Sequence, residues 1–201
     1  MLTITPSTPA KALRNYIAEF DAKLNSEFHT EAIQSLMEQR AAFFDLLLIE
    51  LWQAFELQHS DLSLNAVGGY GRKTLHPKSD IDLAIISDGQ ISKKKQQQVS
   101  QFLTKLWDLG TDIGHSVRTL RESKTMAKSD ITVATNLLDI RPLSGNSEHA
   151  AAIKSALYDN KLWSSEAFYL AKRKEQLQRH NQAKNTALYL EPNLKNNPGG
   201  L

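Results

Sequence analysis

Residues 62–87 of the 201-residue chain read LSLNAVGGYGRKTLHPKSDIDLAIIS, and this stretch is the most informative about the fold. LSLNAV has the composition of a strand and runs directly into Gly68 and Gly69. A loop rich in glycine, proline and basic residues follows, and DIDLAIIS then has the β-branched, alternating pattern of a second strand. The stretch therefore predicts two strands joined by a glycine-containing loop.

Two carboxylates, Asp80 and Asp82, lie two residues apart on the second predicted strand. Side chains at this spacing point to the same face, so we expect both to project together, with about 6–7 Å between their Cα atoms. Mg²⁺ would suit such a pair, because it prefers oxygen ligands and offsets the repulsion between the two charges. Taken alone, Asp-x-Asp is more often two ordinary aspartates on a solvent-facing strand.

The loop before these aspartates supplies groups that suit a phosphate. Gly68 and Gly69 allow backbone N–H groups to approach phosphate closely, and the hydroxyl of Ser79 can donate to a phosphate oxygen. Arg72, Lys73 and Lys78 add positive charge. Each feature also fits a plain turn or a solvated loop, but their combination with Asp-x-Asp is far more specific than any part.

The rest of the chain divides into three predicted zones: a helical segment over residues 1–60, a core over residues 61–145, and a second helical segment over residues 146–201. Thr8-Pro9 and Thr30 are candidate helix starts, with Pro9 at the first helical position. An apolar face recurs at helical spacing in the first zone, at Phe44, Leu47, Leu48, Leu51 and Phe55. In the core zone, Gly110 and Gly114 bracket a predicted turn before the strand HSVRTL. The final Pro-Gly-Gly-Leu looks like a turn cut short, which suggests a fragment of a longer protein.

Composition excludes several classes of protein. The net charge is only +2 and gives no indication of a nucleic-acid or membrane partner. The absence of cysteine excludes disulfides and thiolate metal sites and is compatible with the cytoplasm. No P-loop, no G-x-G-x-x-G and no H-E-x-x-H motif is present, and the six histidines show no His-Asp pair in sequence.

VGGYGRKTLHPKSDIDLAII (67–86) resembles the signature of the DNA polymerase β-type nucleotidyltransferase superfamily, in its PII uridylyltransferase branch. Three further blocks resemble that branch in the same order, namely LWDLGTDIGHSVRT (106–119), TNLLDIRPLSG (135–145) and EPNLKNNPGGL (191–201). The resemblance implies an α+β nucleotidyltransferase fold, with a small mixed sheet and helices between flanking helical segments.

The same resemblance implies a function. The chain would transfer UMP from UTP to a tyrosine of the PII signalling protein in the cytoplasm, releasing pyrophosphate, as part of a multifunctional regulator of nitrogen metabolism. Gly68 and Gly69 would hold the triphosphate, Ser79 would assist, and Asp80 and Asp82 would bind Mg²⁺. The alternatives are a nucleotidyltransferase with another nucleotide or acceptor, or a degenerate domain that binds nucleotide as a sensor.

Two departures from the family pattern concern this site. Lys73 stands where the family usually has a glutamate, and Ser116 lies near the position of a third carboxylate that the superfamily commonly carries. Asp112 and Asp108 are the nearby acidic candidates for a third metal ligand, although both could be surface residues. Arg118 would contact phosphate or form an ion pair with a carboxylate of the free protein.

Overall fold

The computed structural model describes residues 4–58, 61–77, 79–159 and 162–182. Short helices and strands alternate through the middle of the chain, with longer helices at both ends. The helices are α1 (Ala10–Glu27), α2 (Ile33–Ala54), α3 (Gly68–Gly71), α4 (Lys93–Trp107), α5 (Leu120–Ser129), α6 (Ile131–Leu138), α7 (Glu148–Tyr158) and α8 (Ser165–Gln182). The strands are β1 (Leu62–Ala66), β2 (Ile81–Ser87), β3 (Ile113–Thr119) and β4 (Arg141–Gly145).

The strands form a four-stranded mixed sheet in the order β3-β2-β1-β4. β1 pairs antiparallel with both β2 and β4, whereas β2 and β3 run parallel and are connected through α4. A parallel pair needs such a crossover, because its strands cannot be joined by a tight turn. The register places Asp82 opposite Gly114 and Ala84 opposite Ser116. The predicted α+β class with a small mixed sheet is confirmed.

Both faces of the sheet are covered by helices. On one face, Ile81, Leu83 and Ile85 of β2 belong to a core cluster that includes residues of α1, α2 and α4. On the other face, Ala84 and Ile86 pack in a cluster with residues of α6 and α7. This double burial explains why the central strands are apolar almost throughout.

The apolar face predicted in the first zone is buried, with all five of its residues in the core. The predicted helix starts are wrong in detail. Pro9 precedes α1 as its N-cap instead of occupying the first helical position, and Thr8 bonds back to Thr5 instead of capping the helix. α2 begins at Ile33, after Ala32, and not at Thr30.

The helical segment of residues 1–60 shares its core cluster with the sheet, and the division into three zones stays a prediction. α7 and α8 occupy the described part of residues 146–201. The final Pro-Gly-Gly-Leu, and the suggestion of a cut turn there, lie outside the described residues. Among the helices described, none is long and apolar enough to cross a membrane.

Candidate active site

The glycine turn follows β1 directly and forms α3. Gly68 has a φ of +57°, a left-handed conformation in which any side chain would be strained. A Cβ atom built on Gly68 would lie 2.4 Å from Asn136 Oδ1 and 3.1 Å from Asp82 Oδ2. Glycine is therefore required at position 68 by conformation and by space. Beyond the turn, Thr74 donates to the Gly69 carbonyl through its N–H (3.3 Å) and its Oγ1 (3.2 Å).

Asp82 occupies the second position of β2 and is half-buried. Its carboxylate lies between two glycines, because a Cβ atom built on Gly114 of β3 would lie only 2.3 Å from Asp82 Oδ1. Gly114 therefore lies within the strand opposite Asp82, and it does not close the turn as the sequence suggested. The two absent side chains leave a cradle on both sides of this carboxylate.

Asp80 lies one residue before β2 and is exposed. The next residue, Ile81, is buried and its N–H donates to the Asp112 carbonyl at 2.9 Å, which joins the end of β2 to the chain before β3. Strand alternation directs Asp80 and Asp82 away from the face that buries Ile81 and Leu83. The paired projection of Asp80 and Asp82 and the catalytic role of the pair stay predictions.

A cavity of about 270 Å³ opens beside Asp82, between the sheet and α6. Several polar or glycine residues line it: Asp82, Gly114, Ser116, Arg118, Thr132 and Asn136. Thr132 and Asn136 lie one helical turn apart on α6, so they face the same space. The cavity thus brings Arg118 together with Asp82, as a phosphate-binding role would require. Sequence reasoning missed Gly114, Thr132 and Asn136, because only the packing of α6 against the sheet brings them to the site.

The other predicted residues lie elsewhere. Arg72 is mostly exposed, and its guanidinium is paired with the carboxylate of Asp139, so it would have to leave that partner to bind phosphate. Ser79 lines a separate cavity of about 320 Å³, together with Asp112. Lys78 lies outside the described residues. Phosphate binding by Arg72 or Ser79 therefore stays a prediction.

Ser116, which the family resemblance puts near the position of a third carboxylate, lies opposite Ala84 in the register and lines the cavity beside Asp82. Across the residues that the structure describes, no three His, Cys, Asp or Glu side chains lie together as a metal-binding group. Asp108 and Asp112 both use their main-chain carbonyls as acceptors, from Arg14 and Ile81 respectively. Asp112 as a third ligand stays a prediction.

A partly buried ionic network holds the glycine turn in place. Arg141 donates to both carboxylate oxygens of Asp45, at 2.8 and 3.0 Å, and to the carbonyls of Gly71 and Tyr70, at 3.1 and 3.3 Å. The hydroxyl of Tyr70 donates to Asp45 at 2.6 Å. Burial of the phenol, reinforced by the adjacent Asp45 charge, raises the pKa of Tyr70 well above its usual value. This network fastens α3 to α2 and β4, and Asp45 inside an apolar run was its only visible sign in the sequence.

A second arginine, which is buried, holds the far end of the loop. Arg40 is 4% exposed, donates to both oxygens of Asp21 at 2.9 and 3.3 Å, and donates to the His76 carbonyl at 3.0 Å. Its guanidinium also stacks over the ring of Phe44. The loop that links the glycines to Asp80 is therefore anchored near both of its ends.

The fold does create a His-Asp contact that the sequence did not reveal. His149 is buried, with Nδ1 2.8 Å from Ser63 Oγ and Nε2 3.0 Å from Asp88 Oδ1. Ser63 has no exposed surface, so its hydroxyl cannot reach a substrate. This cluster ties α7 to the sheet and does not form a hydrolase centre.

The residues at the site fit a hard divalent cation. Asp80 and Asp82 offer carboxylate oxygens, and Asp82 lines the cavity beside Gly114, where the lack of a side chain at Gly68 and at Gly114 leaves space for its carboxylate. Hard cations prefer such oxygen donors.

Comparison with known proteins identifies the domain. A family model described as a nucleotidyltransferase domain matches residues 48–135, and one described as GlnD PII-uridylyltransferase matches residues 167–201. The bifunctional uridylyltransferase/uridylyl-removing enzyme of Idiomarina loihiensis is 44% identical and aligns with 96% of this chain and 23% of its own length. The corresponding enzyme of Haemophilus influenzae (strain 86-028NP) is 41% identical over 98% of this chain and 23% of its own length.

A solved structure described as the toxin-antitoxin with AMP-PNP covers 70% of this chain at 16% identity, with a TM-score of 0.36. The chain spans about a quarter of the length of the curated relatives named above. The resemblance predicted from the motif blocks is confirmed. The relatives named above are transferases. The chain therefore carries a nucleotidyltransferase domain and resembles, over nearly its whole length, part of the bifunctional uridylyltransferase/uridylyl-removing enzymes.

Proposed function

We propose that this chain transfers UMP from UTP to a tyrosine of the PII signalling protein and releases pyrophosphate. The observation that carries the proposal is the half-buried carboxylate of Asp82, set between Gly68 and Gly114 beside a polar cavity. The specificity for UTP and PII is supported by the family description that matches residues 167–201 and by the names of the relatives. The cytoplasm would be the setting, and removal of UMP would be carried out by parts of a longer protein.

In this proposal each residue at the site has a distinct role. Gly68 and Gly69 let the main chain approach the triphosphate without steric hindrance. Asp80 and Asp82 would hold Mg²⁺, which when bound orients the phosphates and offsets charge on the transferring group. Arg118, which shares the cavity with Asp82, would contact the phosphates.

The reaction is a single displacement at phosphorus. The phenol oxygen of the PII tyrosine forms a bond to the α-phosphorus of UTP as the bond from that phosphorus to the pyrophosphate oxygen breaks. The phenol proton passes to solvent, and no covalent intermediate with the protein is needed. The chain's contribution is mainly positioning and electrostatic stabilisation.

The test measures transfer of label from UTP to PII in the presence of Mg²⁺ and 2-oxoglutarate. Asp80→Asn and Asp82→Asn should each lower the rate about 100- to 1000-fold, because loss of a metal ligand removes several kcal/mol of charge stabilisation. Asp61→Asn, at an exposed aspartate just before β1, is the matched control and should be unchanged.

Three results would count against the proposal or a part of it. Label on PII that survives both active-site substitutions would refute the two-carboxylate mechanism. Binding of UTP without transfer to PII or to any other acceptor would favour the sensor alternative. Transfer from a nucleotide other than UTP would retain the chemistry and reject the proposed substrate.

A further inference from the structure

The side chain of Asn136 lies where a further metal ligand would be useful. Asn136 is on α6 and lines the cavity beside Asp82. Its Oδ1 and Asp82 Oδ2 flank the same space next to Gly68, at 2.4 and 3.1 Å from the point where a Cβ atom would be. Two oxygens from different elements therefore converge beside the glycine turn.

We propose that the amide oxygen of Asn136 is the third protein oxygen ligand of the divalent cation, in place of the missing third carboxylate. This inference rests on the proposed function, which gives the cation its role in UMP transfer. Among the described residues, no third His, Cys, Asp or Glu side chain joins Asp80 and Asp82 in a metal-binding group, so a further oxygen donor has to come from another type of residue.

The chemistry of an amide oxygen suits this task. Side-chain carbonyls coordinate hard cations alongside carboxylates. A neutral ligand adds an oxygen without increasing the repulsion between Asp80 and Asp82 in the metal-free protein. The Asn136 side chain is also available, since it is exposed and, among the described residues, no hydrogen bond restrains it.

This arrangement of Asn136 and Asp82 requires glycine at position 68. Any side chain at position 68 would fall on the Asn136 oxygen, and the left-handed φ of Gly68 already disfavours one. The same residue therefore keeps open the space shared by Asn136 and Asp82. The close approach of α6 to the glycine turn therefore depends on glycine at position 68.

The decisive measurement is the binding of Mn²⁺ alone to the full chain, without nucleotide or PII, by titration calorimetry and by electron paramagnetic resonance of the bound ion. Asn136→Ala should weaken Mn²⁺ binding about tenfold or more, which is the scale seen when groups that support a metal are removed. Asn136→Asp should tighten it, because a charged oxygen replaces a neutral one. Asn15→Ala, at an exposed asparagine of α1, is the matched control and should leave it unchanged.

A direct ligand must be distinguished from a residue that only orients Asp82. The number of water molecules on bound Mn²⁺, measured by ¹⁷O magnetic resonance, should rise by one in Asn136→Ala if water replaces the amide oxygen. An unchanged water number would overturn direct coordination. Mn²⁺ affinity within twofold of wild type in Asn136→Ala, or no Mn²⁺ binding by the wild-type chain, would overturn the proposal as well.

Failure of this inference and failure of the proposed function give different results. If Asn136→Ala changes Mn²⁺ affinity and water number while the wild-type chain transfers no UMP, the ligand assignment stands and the proposed reaction falls. If UMP transfer depends on Asp80 and Asp82 but Asn136→Ala leaves Mn²⁺ affinity unchanged, the proposed reaction stands and Asn136 is not the third ligand.

Discussion

Replacing Arg141 by methionine should destabilise the protein more than the same replacement at an exposed arginine. Methionine keeps most of the apolar stem and removes the guanidinium. Arg141 and Asp45 are 20% and 18% exposed, so the substitution would leave Asp45 largely buried, with the Tyr70 hydroxyl as its remaining hydrogen-bond donor in this network. It would also remove the donors to the Gly71 and Tyr70 carbonyls.

The size of the effect follows from burial. Breaking a buried ion pair from one side typically costs about 3–5 kcal/mol, and the partial exposure of this pair places it at the low end, near 3 kcal/mol. For a chain of this length, that corresponds to a fall in Tm of about 6–12 °C. Arg72→Met is the matched control, because Arg72 is 56% exposed and its single ion pair should contribute less than about 1 kcal/mol.

Urea denaturation of Arg141→Met, Asp45→Asn and the double variant, followed by circular dichroism, gives the coupling energy of the pair. Hydrogen exchange at the amides of α3 adds a local measure, since the glycine turn should open more readily when its anchor is removed. The reasoning is refuted if Arg141→Met costs no more than Arg72→Met, or if the coupling between Arg141 and Asp45 is below about 0.5 kcal/mol.

Three further substitutions test other parts of the structure. Gly114→Ala should lower UMP transfer about 100-fold with the fold retained, because its Cβ atom would displace the Asp82 carboxylate. Gly89→Ala, where an added Cβ meets nothing within 4 Å, should retain full activity, and equal activity of the two variants would contradict the cradle. Tyr70→Phe should change how the free energy of unfolding depends on pH above about pH 10. The raised pKa of Tyr70 means that the neutral phenol stabilises the fold below about pH 10, and that this contribution is lost as pH rises through the folded-state value. Urea unfolding between pH 8 and 11 should therefore show a steeper loss in wild type than in Tyr70→Phe, and parallel curves would argue against it. His149→Ala should cost about 2–4 kcal/mol in urea unfolding, since it removes a fully packed ring and leaves its hydrogen-bond partners unsatisfied. Its Mn²⁺ affinity should match wild type, and a weakened affinity would connect this cluster to the site.

The local features of this protein were readable from its sequence because they depend on short-range patterns. The strand before Gly68, the alternation that pairs Asp80 with Asp82, and the apolar face of α2 all follow from periodicity over a few residues. The start of α4 after Ser92 was also predictable, because the Ser92 hydroxyl accepts from the Lys95 N–H within one helical turn. α1 and α2 begin at Ala10 and Ile33 without a side-chain cap, and their starts were predicted too early because no local signal marks them.

Tertiary structure alone decided which residues surround Asp82. Gly114 and Asn136 lie 32 and 54 residues beyond it in sequence, and only the pairing of β3 with β2 and the packing of α6 bring them to its carboxylate. The anchor from Arg141 to Asp45 spans 96 residues for the same reason. Local sequence patterns thus predict the glycine turn and the closely spaced carboxylates Asp80 and Asp82, which lie within 15 consecutive residues from Gly68 to Asp82. The cradle, the anchors and the candidate third ligand depend on contacts between distant elements, which no local pattern encodes.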